Sequence, residues 1–125
     1  MVEKNLTLLV DFEGEELKGI SFVDENREEL SELELEPGDE IGIDVLNAKD
    51  FTPAYEKVGL LTVKDSDFES GVESGYIKFE HMFRPMSGIY FYTVTKHPMS
   101  LYVTDKHGKV MDMLKINIAN YEYGY

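Results

Sequence analysis

No cysteine and no tryptophan occur in this 125-residue chain, and only 4 of its residues are proline. Without cysteine there is no disulfide staple, no thiolate nucleophile and no thiolate metal ligand, and the expected location is cytoplasmic. Long apolar runs are missing as well. The earliest one, Leu6 to Val10, contains Thr7 and is too short for a signal-peptide core or a membrane span, so no membrane partner is expected. There is no Gly-x-Ser-x-Gly, no His-Glu-x-x-His and no Gly-Lys-Ser/Thr phosphate loop, which removes the motifs that mark nucleophilic, zinc-hydrolytic and phosphoryl chemistry. Paired carboxylates for acid–base work say nothing when 25 acids are available. The expectation is a non-enzymatic protein with no cofactor.

Positive charge is scarce, with 12 Lys and Arg against 25 Asp and Glu, a net charge of −13. The imbalance is also uneven. Residues 1–80 carry 22 acids and 7 bases, a net of −15, whereas residues 81–125 carry 3 acids and 5 bases, a net of +2. A one-signed field of this kind repels phosphate backbones and attracts cationic surfaces. Nucleic acid is therefore not an expected partner, since the basic residues Arg84, Lys96, Lys106 and Lys109 among Tyr90, Tyr92 and Tyr102 are too few for a nucleic-acid-binding face.

What the chain has in quantity is short β-type runs. Leu6 to Phe12 is closed by Gly14, Leu17 to Val23 follows, and Leu33 and Leu35 alternate with glutamates. Pro37-Gly38-Asp39 predicts a tight reversal, with proline fixing φ at the first turn position and glycine accepting the positive φ of the second. Ile41, Ile43 and Val45 alternate with Gly42 and Asp44, the pattern of a strand with one buried face. Leu60 to Val63, Tyr76 to Phe83, Gly88 to Thr95, Leu101 to Thr104 and Lys109 to Ile118 complete the set. Asp65 to Gly75 is the most loop-like stretch. The spacing predicts one domain over residues 1–125, an all-β, antiparallel sandwich of about 7–9 strands, immunoglobulin-like or related.

Four local expectations follow. Asp24 to Leu35 has helical spacing at Leu30 and Leu33, but Asp24-Glu25-Asn26-Arg27 reads better as a hairpin loop that pairs residues 20–23 with 33–35. The unit Tyr102-Val103-Thr104, Asp105-Lys106-His107-Gly108, then Val110 repeats the same strand, charged loop, strand arrangement. In the last strand, Met111 and Met113 share one face and Leu114, Ile116 and Ile118 the other, which predicts a β-bulge near Met113. Gly88 to Val94, apolar or aromatic on both faces, predicts a central strand.

Two clusters suggest metals. His81, Met82, Met86, His97 and Met99 combine imidazole with thioether, a donor set that suits copper and favours Cu(I), with His81, Met86, His97 and Met99 as ligands if His81 and His97 face one another on adjacent strands. His97-Pro98-Met99 resembles the His-x-Met element of periplasmic copper carriers, without their wider His/Met spacing. It also resembles part of the iron site of superoxide reductases, which needs a cysteine and four histidines. Asp65-Ser66-Asp67-Phe68-Glu69 has alternating carboxylates, but an EF-hand would need glycine at Ser70 and glutamate at Tyr76.

The reading that uses most of the chain is an interaction module. Its acidic part, with Glu25, Glu28, Glu29 and Glu32, would dock a cationic protein partner, as an adaptor, an assembly subunit or a nucleic-acid mimic. Tyr90 and Tyr92 of the aromatic strand and Tyr121 and Tyr123 of the tail would supply apolar anchors. Self-association into a homo-oligomer is left open. The alternative is a metal-binding protein that uses the His/Met cluster, with copper as the ion.

Overall fold

Alternation sets the layers. In a computed structural model that describes residues 3–67, 70–86, 88–95 and 97–119, Leu6, Leu8 and Val10 of β1 (Glu3–Glu13) and Ile41, Ile43 and Val45 of β4 (Glu40–Asn47) are at most 2% exposed. They point to one side of a sheet ordered β2-β1-β4-β8-β7, with β2 at Glu16–Val23, β7 at Phe83–Arg84 and β8 at Ile89–Thr93. A second sheet is ordered β3-β10-β9-β5-β6, with β3 at Glu32–Leu35, β5 at Leu61–Asp67, β6 at Val72–Ile77, β9 at Met99–Asp105 and β10 at Val110–Ile118. Its inner residues, Val63, Leu101, Val103, Leu114 and Ile116, join those of the first sheet in one apolar cluster. The protein is an all-β sandwich, with ten strands in two sheets among the described residues. Helix is confined there to the 3-10 turn Tyr55–Leu60 and the single turn α1 (Phe79–Met82), and no described helix is long and apolar enough to cross a membrane.

Several local expectations are corrected. The sheets are mixed and not purely antiparallel, because β1 pairs with β4, and β3 with β10, in parallel. The loop at Asp24–Arg27 does turn the chain, but residues 33–35 do not return to β2. Only the bridge Val23–Glu29 and the bond from Leu30 N–H to Phe22 C=O (2.9 Å) are made before the chain crosses to the other sheet. There Leu33 and Leu35 lie beside Ile116 and Ile118 and extend the inner apolar face, which a hairpin within the first sheet would not do. The run Tyr76 to Phe83 is not one strand: β6 ends at Ile77, α1 follows, and β7 starts at Phe83. Asp65 to Gly75 is mostly the β5–β6 hairpin. β8 is buried on both faces but is not central, having on its outer side only two-residue β7. The bulge in the last strand lies between Val110 and Asp112, at Met111, a turn of the pleat before Met113.

The Pro37-Gly38 reversal is present, with Gly38 at φ +92° and Asp39 N–H donating to Glu36 C=O at 3.1 Å. The two charged loops have one and the same hydrogen-bond plan. Asp24 Oδ1 accepts from Asn26 and Glu28 N–H (2.8 and 3.1 Å), and Asp105 Oδ1 from His107 and Lys109 N–H (2.8 and 3.0 Å). Asp24 N–H donates to Glu28 C=O and Arg27 N–H to Asp24 C=O. Asp105 N–H to Lys109 C=O and Gly108 N–H to Asp105 C=O repeat this, all at 3.0 Å. The fourth position is left-handed in both, Gly108 at φ 82° and Arg27 at φ 62°. The guanidinium of Arg27 lies 3.8 Å over the ring centroid of Phe51, a contact that offsets part of the strain of a left-handed φ.

These twin turns set an asymmetric expectation for urea unfolding. Gly108→Ala introduces a Cβ at left-handed φ and should cost about 1–2 kcal/mol. Arg27→Gly removes that strain and loses one exposed cation–π contact, so stability should change by less than about 1 kcal/mol. A larger loss for Arg27→Gly than for Gly108→Ala would show that the stacking, not the backbone, sets the energetics of the turn.

Candidate partner-binding surface

The acidic residues singled out from the sequence fall on the crossing between the sheets. Glu25, Glu28 and Glu29 lie in the connection after β2, Glu32 opens β3, and all four are exposed. Among the described residues, no Lys, Arg or His forms an ion pair with Glu25, Glu28 or Glu29. Arg27, the cation of this connection, is turned onto Phe51. Glu32 Oε2 accepts from Asn117 Nδ2 at 3.3 Å. Some carboxylates elsewhere are employed: Glu40 pairs with Arg84, Glu73 with Lys64 at 3.2 Å, and Asp39, only 4% exposed, accepts from Glu36 N–H at 3.0 Å.

The proposed tyrosine anchors are placed differently. Tyr90 and Tyr92 are 5% and 9% exposed, so they are core residues and not surface anchors. The physical reason is the pleat. Alternate residues of β8 opposite Ile41 and Ile43 must point inward, and these are Tyr92 and Tyr90. Tyr90 packs against Phe83 and Phe79 at ring-centroid distances of 5.1 and 5.4 Å. Phe91 points outward, and Arg84 covers its ring at 4.3 Å. Tyr121 and Tyr123 lie outside the described residues.

The His/Met set is not brought together as expected. His81 sits exposed on α1, 3.9 Å from Glu80, and so does not face His97 from a neighbouring strand. His97 is in the loop that leads into β9 of the other sheet, and Met86 is fully exposed in the β7–β8 turn. Met99 is buried, its sulfur 3.4 Å from the Tyr92 hydroxyl and 3.5 Å from that of Thr95. Its thioether is thus already engaged. Among the described residues no three His, Cys, Asp or Glu side chains converge as a metal site.

What the fold does unite is the end of one metal motif with the start of the other. A groove of about 460 Å³ at the end of the sandwich is lined by Asp65 and Asp67 from β5, by Val72 from β6, and by His97, Pro98 and Met99. Of the lining residues, Asp65 accepts through Oδ2 from the Tyr92 hydroxyl at 3.0 Å. A second groove, about 310 Å³, lies at the seam between the sheets, where Ile20, Phe22, Glu29, Leu30 and Asp112 meet. There Asp112 Oδ2 accepts from Phe22 N–H at 2.9 Å, a carboxylate of one sheet bound to the strand edge of the other. Sequence reasoning missed Asp112. Its signal was that one of the few acids in the basic part of the chain stands in the phase slip between Met111 and Met113.

The sequence matches no protein-family model and no curated protein.

Tyr92 carries a testable pH dependence. Burial first, and then the charge and hydrogen bond of Asp65, raise its pKa well above the ordinary tyrosine value. The folded chain then holds this proton more tightly than the unfolded chain. The associated stability is present below the unfolded pKa of about 10 and is lost as pH rises above it. Tyr92→Phe should cost about 1 kcal/mol near pH 7, where a donor to Asp65 is lost, and should flatten the fall in stability above pH 10. Urea titrations at both pH values check this, and an unchanged alkaline slope would contradict it.

Proposed function

We propose that the protein is an acidic, non-enzymatic interaction module that docks a cationic protein partner. The observation that carries this reading is the exposed set Glu25, Glu28 and Glu29, unneutralised by the described cations, while the one arginine in the same segment is held on Phe51. Maintaining three like charges on a short connection costs self-repulsion, which a cationic surface relieves. The carboxylates do not form one continuous row, since Asp39 is buried and Glu40 is taken by Arg84. That favours a protein partner with a localised basic patch over mimicry of a phosphate backbone. Phe51, 38% exposed beside Arg27, is an apolar anchor next to the acids, in place of the tyrosines expected to serve that purpose.

A decalysine peptide is a suitable first probe. Its association rate should fall steeply between low salt and ionic strengths at which the screening length shrinks to about 10 Å. Reversing Glu25, Glu28 and Glu29 to lysine should weaken binding at least about tenfold, whereas reversing the exposed Glu56 on the 3-10 turn should change it less than about twofold. Equal effects at both places would mean that the charge serves solubility alone. Asp105 and Asp112 are unsuitable controls, because each accepts hydrogen bonds that hold the main chain.

A further inference from the structure

Both main-chain groups of Phe22 point away from β1, its N–H to Asp112 Oδ2 and its C=O to Leu30 N–H, each at 2.9 Å. Main-chain direction alternates along a strand, and the β1–β2 register is unbroken from Gly19 to Val23. The N–H and C=O of Ile20 therefore point the same way, and no described residue bonds to either. Across the seam the outward amides of β10 are already taken. Lys115 N–H donates to Ser31 C=O at 2.9 Å, which identifies the side of β10 that looks away from β9. Met113, two residues earlier, looks to that side before the first β3 partner is reached, and its N–H is taken by Asp112 Oδ1 at 2.8 Å. Asp112 thus accepts in the seam two bonds of the kind that an added strand's carbonyls would accept.

We infer that the open edge of β2 at Ile20 receives an extended, basic segment of a partner protein as an added strand. This rests on the reading of the chain as an acidic module and says where and how it binds. Main-chain pairing at Ile20 supplies affinity without regard to sequence, as in other strand-addition modes. The acids supply the choice: Glu29 and Asp112 line the groove, and Glu28 and Glu25 lie in the same connection as Glu29. Ile20 and Leu30 in the groove offer an apolar seat to the alternate side chains of the segment. A lysine- or arginine-rich strand with every second residue apolar meets both demands. A second copy of this chain does not, because each copy carries a net charge of −13 and would bring acids to a seam already lined by them.

The experiment measures amide hydrogen exchange of the full chain by NMR with three probes: an end-blocked Lys-Val-Lys-Val-Lys-Val peptide, its Thr-Val counterpart and decalysine. The basic alternating peptide should slow exchange at Ile20 about tenfold or more and leave Ser21, which faces β1, unchanged. Glu29→Lys should weaken its binding about fivefold or more, and so should Ile20→Pro, which removes the outward N–H while sparing the β1–β2 ladder. Salt-dependent binding of the cationic probes with no protection at Ile20 would overturn the strand-addition inference and leave the acidic module standing. Failure of every cationic probe to bind would overturn both. Equal protection by the Thr-Val peptide would overturn charge selection. Protection at Ile20 that rises with protein concentration alone would make a second copy the occupant and overturn the proposal.

Discussion

Beside the main-chain crossing at Leu30 and Ser31, one carboxylate joins the edges of the two sheets directly. Asp112, carried at a bulge in β10, accepts from Phe22 on β2 and from Met113 beside it, and so binds the sheets at a place where no strand ladder connects them. Two consequences depend on this stitch. The N–H of Phe22, a residue 1% exposed, has an acceptor and is not left unpaired at the margin of the core. The sandwich also stays unclosed at the seam, because a side chain instead of a strand fills the gap, and Ile20 retains an open edge. The bulge makes this geometry, since an extra residue between Val110 and Asp112 re-aims the carboxylate toward the other sheet.

The acidic connection follows from the same arrangement. Asp24 folds the chain back in a turn closed by its own side chain, and the chain then leaves the first sheet for the second along the seam. A segment that makes such a crossing has one face on the protein and the other in water, so its charges remain available. The twin turn at Asp105–Lys109 has identical hydrogen bonding and a basic composition. Backbone geometry and charge are thus set independently in the two turns, and the acidity of the first is not required by its fold. Charge that the fold does not require is what a docking surface would be built from.

Local patterns were legible in the sequence because they are local. The period of two at Ile41, Ile43 and Val45, the Pro37-Gly38 reversal and the aspartate-led loops each follow from steric and hydrogen-bond rules that act over a few residues. The hairpin partners β9 and β10 were legible too, but partners distant in sequence were not. Whether Leu33 and Leu35 pair with β2 or with β10 depends on which apolar face they cover, and the face beside Ile116 and Ile118 is supplied by residues far along the chain. The aromatic run Ile89 to Thr93 misled for a related reason: both faces are apolar, and only the outer cover by Arg84 distinguishes a core strand from an exposed anchor. The histidines and methionines close in sequence were separated when the expected strand at residues 76–83 broke into β6, α1 and β7.

Asp112 is the stitch at the seam, and β2 stays open beside it at Ile20. Amide exchange in the free protein tests it most directly. Phe22 N–H, bonded to Asp112, should be strongly protected, and Ile20 N–H, two residues away on the same edge, should exchange at least about a hundredfold faster. In Asp112→Ala the protection at Phe22 should collapse toward that of Ile20. Equal protection of the two amides in the native chain would show a closed seam and contradict the account.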